Sequence, residues 1–307
     1  MRKTWLSLLL LFILVLSACG NAANHQKETN APSAKKEKET MTYQSENGPI
    51  EVPAHPKRVV ALWGAGYVAA FDVPIVGADS WSKMNPLLQD KLKNTQTVTD
   101  EDIEKIMALK PDLIVGLSNT KNVEKLKKIA PTVTFTYGKL NYLDLILEYG
   151  KLLNKEKEAK AWIADFQKRA QEAGKQIRAK IGDNATVTVM ENFDKQLYVF
   201  GNNWGRGTEI LYQEMKLKMP EKVKEHALKS GYYAVSLEAL PQFVGDYLIV
   251  SKYSDSDTSF METNTFKNIP AVKNGHMFVA DAKSFYFNDP ITLEHQLDFF
   301  KKHFLGQ

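Results

Sequence analysis

The sequence contains very little cysteine, since Cys19 is the single cysteine among 307 residues. One thiol can form neither an internal disulfide nor a metal site built from several thiolates. The chain also lacks a strong charge excess, because its formal net charge is only +4. This near balance gives no broad argument for nucleic acid, and we expect no nucleic-acid partner.

Motifs of common enzymes are absent as well. The glycine-rich segment 201–207 lacks both the Lys-Ser/Thr end of a P-loop and the glycine spacing of a dinucleotide-binding loop. There is no Gly-x-Ser-x-Gly elbow, and none of the six histidines belongs to a His-Glu-x-x-His pair. No nucleophile–base pair for a hydrolase and no convergent set of metal ligands is recognisable. We therefore expect a protein that is not an enzyme and has no metal site.

The N-terminus has the organisation of a bacterial signal peptide. A basic start is followed by an apolar run, residues 6–15, that is too short for a comfortable membrane span. The next segment, Leu16–Cys19, resembles a lipobox, in which the cysteine is lipidated and becomes the new N-terminus. We interpret residues 1–18 as a lipoprotein signal peptide and Cys19 as the lipidation site. An ordinary signal peptide with a chance cysteine is the alternative.

Four segments are predicted after the signal peptide. Residues 19–40 are rich in Lys, Glu, Asn and Ala and indicate a disordered tether. Strand and helix patterns alternate in residues 41–150 and again in residues 183–307, as in parallel α/β structure. Between them, residues 151–182 contain a helix from about Lys155 to Lys180. The predicted fold is α/β, with two αβ lobes joined by a single long helix and a ligand cleft between the lobes.

A short pattern occurs once in each lobe. Glu104 precedes Asp112 by eight residues, and Asp112 is followed by the strand-like sequence Leu-Ile-Val. Glu238 precedes Asp246 by eight residues, and Asp246 is followed by Tyr-Leu-Ile-Val. Helix-to-strand units often look alike, so the repeat is weak by itself. Together with the central helix it indicates two similar lobes.

A loop rich in glycine follows the predicted strand Leu197–Phe200. Trp204 and Arg206 alternate with glycines there, so their side chains project where the backbone is open. Ligand sites in α/β sheets lie outside the carboxyl ends of strands, and we therefore predict that this loop faces the cleft. In the alternative, Trp204 packs against the lobe and Arg206 forms a surface salt bridge.

Other aromatic residues also follow predicted strands. Trp63 follows the first strand, Tyr137 follows the strand Thr132–Thr136, and Tyr286 lies in an aromatic cluster before an Asn-Asp-Pro turn. These side chains are predicted to converge on one cleft with Tyr198. Aromatic faces and one guanidinium suit a ligand with apolar linkers and a few acceptor oxygens.

The segment from Phe193 to Gly207, together with Asn288-Asp289-Pro290, resembles the Gram-positive ferric-hydroxamate siderophore-binding lipoproteins. These are class III substrate-binding proteins of ABC importers. The resemblance covers nearly the whole mature chain, and Asn203–Gly207 is its most specific element. It implies two αβ lobes joined by one long helix, with limited hinge motion. We also expect a monomer, held by its lipid on the extracellular face of the cytoplasmic membrane.

The resemblance implies that Tyr198, Trp204 and Arg206 contact the ligand and that Tyr137 is a further site residue. Relatives can carry tryptophan at the position of Tyr286, which is a departure from the family pattern. Three hydroxamates neutralise Fe³⁺ and fill its coordination shell, so neither a protein ligand for the metal nor a cofactor is expected. A tris-catecholate complex carries several negative charges and would require more basic residues than Arg206.

The resemblance also gives a role to Glu104 and Glu238, since one glutamate on each lobe docks to arginines of the membrane permease. In the alternative, both are solvated acids at helix starts. The predicted function is a lipid-anchored protein that captures ferric hydroxamates of the ferrichrome or ferrioxamine type and delivers them to an ABC importer. Binding of haem or a corrinoid by the same fold is the alternative, with Tyr198 or Tyr286 as an axial ligand.

Overall fold

The computed structural model describes residues 39–307. The predicted signal peptide, Cys19 and residues 19–38 of the predicted tether lie outside the described residues. The first strand, β1 (Thr40–Ser45), begins inside the range that was expected to be disordered. It pairs antiparallel with β2 (Gly48–Pro53), so regular structure starts one residue before the predicted boundary.

The first lobe contains a five-stranded sheet that is parallel throughout, in the order β5-β4-β3-β6-β7. Its strands are β3 (Val59–Ala61), β4 (Ile75–Ala78), β5 (Gln96–Thr97), β6 (Leu113–Leu117) and β7 (Thr132–Phe135). The lobe also contains α1 (Ala65–Ala70), α2 (Ser80–Met84), α3 (Gln89–Leu92), α4 (Ile103–Ala108), α5 (Val123–Leu126) and a 3₁₀ turn, Pro86–Leu88. Every residue of β3 is buried, as expected for a parallel strand with helices on both faces.

Two helices lead from the first lobe to the second, α6 (Tyr142–Leu152) and α7 (Glu156–Ile181). The 26 residues of α7 span about 39 Å at a rise of about 1.5 Å each. Its buried face includes Phe166 and Ile177. The bounds of α7 agree with the helix predicted from about Lys155 to Lys180, and residues 151–155 of the predicted linker segment form the end of α6 and a turn. The turn breaks the helix because Asn154 adopts a left-handed conformation, with φ of 57°.

The second lobe contains a mixed five-stranded sheet in the order β10-β9-β8-β11-β12. Its strands are β8 (Val187–Phe193), β9 (Gln196–Phe200), β10 (Tyr232–Val235), β11 (Tyr247–Lys252) and β12 (Met277–Asp281). Strands β8, β11 and β12 are parallel, whereas β9 is antiparallel to both β8 and β10. The purely parallel arrangement expected from strand–helix alternation is therefore wrong for β9. A two-residue hairpin turn, Asp194–Lys195, reverses the chain with both residues at positive φ.

The helical segments of the second lobe are short, apart from the last one. They are α8 (Glu221–Ala227), α9 (Asn264–Lys267), α10 (Pro270–Lys273), α11 (Ala282–Phe285), α12 (Pro290–Phe300), two π-helices (Glu209–Glu214 and Lys301–Leu305) and two 3₁₀ turns (Leu240–Gln242 and Ser259–Glu262). Within residues 39–307, no helix combines the length and the apolar character that crossing a bilayer requires.

The pattern shared by the two lobes has a structural counterpart. The Asp112 carboxylate accepts hydrogen bonds from the backbone N–H groups of Lys57, at 2.7 Å, and Arg58, at 2.9 Å, just before β3. The Asp246 carboxylate accepts one from the backbone N–H of Thr186, at 2.8 Å, just before β8. Each aspartate thus links the two adjacent central strands of its sheet, β3 with β6 or β8 with β11.

The helix α12 adds a non-covalent bridge between the lobes. The Asp289 carboxylate caps it by accepting from the N–H groups of Ile291 and Thr292. A Cβ at Gly66 of α1 would lie 2.4 Å from the Asp289 carboxyl group, so a glycine is needed for this close approach. Asn85 of the first lobe also donates to the Thr292 hydroxyl at 3.1 Å. The lobes are therefore held together across α12 as well as along α7.

Candidate ligand-binding site

Three adjoining cavities lie in and beside the cleft between the lobes. The cavity of about 470 Å³ includes Trp63, Trp81, Trp204 and Tyr286 in its lining, so both lobes contribute to it. A second, of about 370 Å³, is lined by Trp63, Tyr137 and Trp204 among others. The third, of about 240 Å³, is lined by residues of the second lobe alone. Trp204 lines all three, which places its indole at the centre of the site.

The first lobe contributes a wall of aromatic side chains that follow its parallel strands. Trp63 follows β3, Trp81 follows β4 and Tyr137 follows β7. The carboxyl ends of parallel strands meet at one edge of the sheet, which brings these residues together as predicted for Trp63 and Tyr137. Trp81 is 45% exposed and Tyr137 is 58% exposed. We call Trp63, Trp81 and Tyr137 the first wall.

Aromatic pairs connect the two lobes across the cleft. The rings of Tyr137 and Trp204 meet nearly at a right angle, with centroids 5.7 Å apart. Trp81 stacks on Tyr286 at 5.2 Å. Trp204 also contacts Tyr232 of its own lobe at 5.1 Å. Such pairs contribute about 0.5–1.5 kcal/mol each beyond their buried area. This energy is small enough for a ligand with apolar surface to take the place of one ring against the other.

The second lobe contributes one face of its sheet rather than strand ends. The strand register pairs Tyr232 with Phe200 and Tyr198 with Glu191, and Glu191 in turn with Ser251. Paired residues point to the same face of a sheet, so all five side chains share one face. Two of these side chains, Tyr198 and Tyr232, line the cavities together with Trp204, Arg206 and Tyr286. We call Tyr198, Trp204, Arg206, Tyr232 and Tyr286 the second wall.

The site loop, residues 201–208, folds back over this face. The Arg206 guanidinium lies 4.7 Å from the centre of the Phe200 ring. Because β9 is antiparallel, its carboxyl end does not meet the carboxyl ends of β8, β11 and β12. The loop follows the carboxyl end of β9 and faces the cleft, as predicted, although this strand end does not lie beside those of the parallel strands.

Positive φ angles at three successive residues shape the site loop. They are 69° at Gly205, 57° at Arg206 and 79° at Gly207. The Arg206 N–H donates to the Phe285 carbonyl at 2.8 Å. A Cβ at Gly205 would lie 2.4 Å from the Tyr286 carbonyl oxygen. The glycine thus lets the loop approach another backbone, while Arg206 takes a conformation that non-glycine residues rarely adopt.

Polar groups after the loop fix its position. The Gly205 N–H donates to Glu209 Oε1 at 3.0 Å, and the Thr208 hydroxyl donates to the Gly205 carbonyl at 2.8 Å. The Thr208 side chain makes no capping hydrogen bond to the π-helix that follows. Burial raises the pKa of the Glu209 carboxyl, and the hydrogen bond from Gly205 opposes this shift. Asn288 Nδ2 donates to Glu209 at 3.4 Å and Asn288 Oδ1 accepts from the Tyr67 hydroxyl at 2.7 Å, which connects the loop to the first lobe.

Arg206 forms a buried ion pair that was not predicted from the sequence. Its Nη2 donates to Glu191 Oε1 at 2.7 Å and its Nε donates to Glu191 Oε2 at 3.2 Å. Arg206 is 6% exposed and Glu191 is fully buried, so the alternative of a surface salt bridge is wrong. The Ser251 hydroxyl donates to Glu191 Oε2 at 2.6 Å. Burial alone would lower the pKa of Arg206, and the adjacent Glu191 carboxylate outweighs this effect and raises it.

Arg206 keeps donors available for a ligand. Three of its five guanidinium N–H groups donate to Glu191 and to the Trp204 carbonyl. The other two have no acceptor in the part of the chain that the structure describes. The guanidinium also lies 4.1 Å from the centre of the Tyr286 ring and lines two of the cavities. The site therefore combines aromatic faces with two unused, oriented donors.

The two glutamates predicted for docking lie away from the cleft. Glu104 is exposed in the first turn of α4, and Glu238 is exposed just before the 3₁₀ turn of the second lobe. Neither lines any of the three cavities. Their docking role stays a prediction.

All six residues predicted to bind the ligand line at least one of the three cavities: Trp63, Tyr137, Tyr198, Trp204, Arg206 and Tyr286. Their roles in binding stay predictions. Three further lining residues were not predicted from the sequence, namely Trp81, Tyr232 and Glu191. Trp81 follows a strand as Trp63 does, and Glu191 is an acid inside an apolar strand, so both carried a signal. Among residues 39–307, no group of three or more His, Cys, Asp or Glu side chains is placed to hold a metal ion.

Comparisons with known proteins agree with this geometry. Residues 59–284 match the family described as "Periplasmic binding protein". The chain is 38% identical over 300 residues to the "Iron(3+)-hydroxamate-binding protein YxeB" of Bacillus subtilis (strain 168), covering 95% of this chain and 92% of that protein. It is 38% identical over 298 residues to the "Iron(3+)-hydroxamate-binding protein FhuD" of the same organism, with 94% and 93% covered. The structure of FhuD2 from Staphylococcus aureus with bound ferrioxamine B superimposes with a TM-score of 0.77 at 34% identity, covering 82% of this chain and 99% of that one.

Proposed function

Because this chain belongs to the periplasmic binding protein family, we propose that it captures a ferric hydroxamate siderophore between its lobes and delivers it to an ABC importer. The observation that carries the proposal is the site itself, with aromatic walls on both lobes and Arg206 beside Trp204. The relatives named for hydroxamate binding cover nearly the whole chain and support the same ligand class.

The walls suit the chemistry of such a complex. Three hydroxamate groups neutralise Fe³⁺ and occupy its coordination positions, so the iron travels as cargo and requires no protein ligand. The protein then recognises only the periphery of the complex. Aromatic faces pack against the hydrocarbon linkers, and the two unused N–H groups of Arg206 donate to hydroxamate oxygens.

The remaining predictions extend this proposal. We infer that the protein is not an enzyme, acts as a monomer and carries no resident cofactor. Lipidation at Cys19 would hold it at the extracellular face of the membrane, beside the permease it serves. Incorporation of radiolabelled palmitate into the full chain, and its loss in Cys19→Ala, tests the anchor. Equal labelling of both chains would contradict it.

Tryptophan fluorescence tests the ligand class directly. Trp63, Trp81 and Trp204 all line the cleft, so a bound iron chelate should quench their emission strongly. We expect saturable quenching by ferrioxamine B or ferrichrome, and none by haemin. Quenching by haemin alone would replace the hydroxamate proposal with the haem alternative, and quenching by none of them would contradict both.

Docking to the permease is tested by removing both exposed glutamates. We expect Glu104→Ala with Glu238→Ala to abolish uptake of the iron complex while its binding stays intact, because both residues lie outside the cavities. The matched control removes another exposed glutamate from each lobe, Glu124→Ala with Glu225→Ala, and should retain uptake. Full uptake by the Glu104/Glu238 double variant would refute the docking role.

A further inference from the structure

Acidic side chains outnumber basic ones around the cleft. Of the described residues that line the three cavities, Arg206 is the one lysine or arginine. The acidic residues in the same linings are Asp79, Glu191, Glu209 and Asp289. One positive charge therefore faces up to four negative ones.

Protonation does not reverse this balance. Burial raises the pKa of Asp79, Glu209 and Asp289, which favours their neutral forms. With all three neutral, Arg206 and Glu191 still cancel each other. The summed charge of the lining is then zero, and ionisation of any of the three makes it negative. In no combination does the cleft carry a net positive charge while Glu191 is ionised.

Glu191 is the residue that decides this balance. It is fully buried, and both of its oxygens accept hydrogen bonds, one from Arg206 alone and the other from Arg206 and Ser251. The carboxylate lies against the guanidinium that donates to the ligand, inside a region that water scarcely reaches. Its charge is therefore poorly screened and acts on any complex bound beside Arg206.

We infer that Glu191 sets the charge selectivity of the site, so that the cleft accepts neutral and cationic ferric trishydroxamates and rejects anionic iron complexes. This inference rests on the proposed function, since it specifies which members of the hydroxamate class bind. An anionic complex would lose its hydration on entering the cleft and would find no uncompensated cation there. A complex with an additional ammonium group would find buried acids.

A purely structural role for Glu191 is the competing explanation, because the ion pair also positions Arg206. Glu191→Gln removes the charge but keeps the size of the side chain and one oxygen acceptor. Ser251→Ala is the matched control, because it removes a hydrogen bond to the same carboxylate without changing any charge. If Glu191 only positions Arg206, Glu191→Gln weakens the binding of all ligands alike. If the charge of Glu191 selects ligands, the same variant changes the order of their affinities.

The probes are three complexes with the same iron centre and different charge. Ferrioxamine B has a terminal amine that does not bind the iron, so its ferric complex is a monocation. Acetylation of that amine gives a neutral complex, and succinylation gives a monoanion. Dissociation constants for all three, measured by fluorescence quenching on the full chain, separate charge from linker shape.

We expect the wild-type protein to bind the cationic and neutral complexes at least about tenfold more tightly than the anionic one. In Glu191→Gln the ratio of anion to cation affinity should rise by about tenfold or more, and in Ser251→Ala it should stay as in the wild type. Equal binding of the three complexes by the wild type overturns the inference, even if Glu191→Gln fails to fold. An unchanged ratio in a folded Glu191→Gln variant overturns it as well. Absence of binding to all three would instead contradict the proposed function.

Discussion

The two lobes bring aromatic side chains to the same cleft by different means. In the first lobe, Trp63, Trp81 and Tyr137 lie just beyond the carboxyl ends of parallel strands, and the latter two are largely exposed. In the second lobe, Arg206 is buried, its backbone has positive φ, and it is bonded to a carboxylate inside the sheet. Arg206 is thus part of the core, whereas Trp81 and Tyr137 are attached to its surface. We therefore expect changes at Trp81 or Tyr137 to affect binding alone, and a change at Arg206 to affect binding and stability together.

Arg206→Ala should show this difference most strongly. The change leaves Glu191 buried without its partner, which costs about 3–5 kcal/mol in the free energy of unfolding. It also removes the donors to the ligand. Urea denaturation and fluorescence titration should both report a loss. The counterpart in the first wall is Tyr137→Ala, which should weaken binding while leaving stability nearly unchanged, because Tyr137 is 58% exposed. Equal destabilisation by Arg206→Ala and Tyr137→Ala would contradict the expected difference between the two lobes.

A pair of glycine substitutions gives an intermediate effect. Gly205 of the second lobe and Gly138 of the first both line the cleft and have positive φ, 69° and 75°. Alanine at either position costs about 1–2 kcal/mol for its left-handed conformation. At Gly205 the new Cβ would also lie 2.4 Å from the Tyr286 carbonyl oxygen, whereas nothing lies within 4 Å at Gly138.

We expect Gly205→Ala to lower the unfolding free energy by about 1–3 kcal/mol more than Gly138→Ala, because overpacking adds to the strain. The displaced loop should also weaken ligand binding, since it carries Trp204 and Arg206. Thermal denaturation and titration of the two variants provide the measurement. Similar losses in both would show that the second wall tolerates movement as well as the first.

The smallest effect concerns the pH dependence of stability. Burial raises the pKa of Glu209 above its ordinary value of 4.5. The folded state therefore holds a proton that the unfolded state releases, and stability falls as pH rises from 4.5 to the raised pKa. Glu209→Gln has no ionisable group at this position, so it lacks this pH-dependent loss. Its stability relative to the wild type should therefore increase between pH 4.5 and the raised pKa of Glu209.

Asp246→Asn provides a control of opposite sign. The backbone N–H of Thr186 donates to Asp246 and lowers the pKa of its carboxyl below 3.8. Its stabilisation is therefore present above pH 3.8 and is lost as pH falls through the lowered pKa. The asparagine variant should be less stable than the wild type at neutral pH, with the difference vanishing in acid. Urea denaturation at several pH values measures both variants, and parallel profiles for them would contradict the assignment of Glu209.

The fold was predictable to a large extent. The two αβ lobes joined by one long helix are confirmed, because periodic apolar residues mark α7 and alternating patterns mark the sheets. The direction of β9 was not predicted. The turn Asp194–Lys195 lacks the glycine that usually marks a two-residue hairpin, so the reversal left little signal in the sequence.

The site was predictable where a local rule applies. Trp63 and Tyr137 were found because residues after parallel strands converge, and the same rule would have found Trp81. Glu191 lies fifteen positions before Arg206 and meets it only because β8, β9 and the site loop fold over one another. A long-range pairing of this kind follows from tertiary structure and not from spacing.

A crystal structure of the chain with ferrioxamine B tests the account most directly. We predict the iron complex between the lobes, with Trp204 and Arg206 on one side and Trp63 or Tyr137 on the other. Hydroxamate oxygens should fill the coordination of the iron, with Arg206 donating to them and still paired to Glu191. A complex bound outside the cleft, or an iron ion coordinated by a protein side chain, would contradict the account.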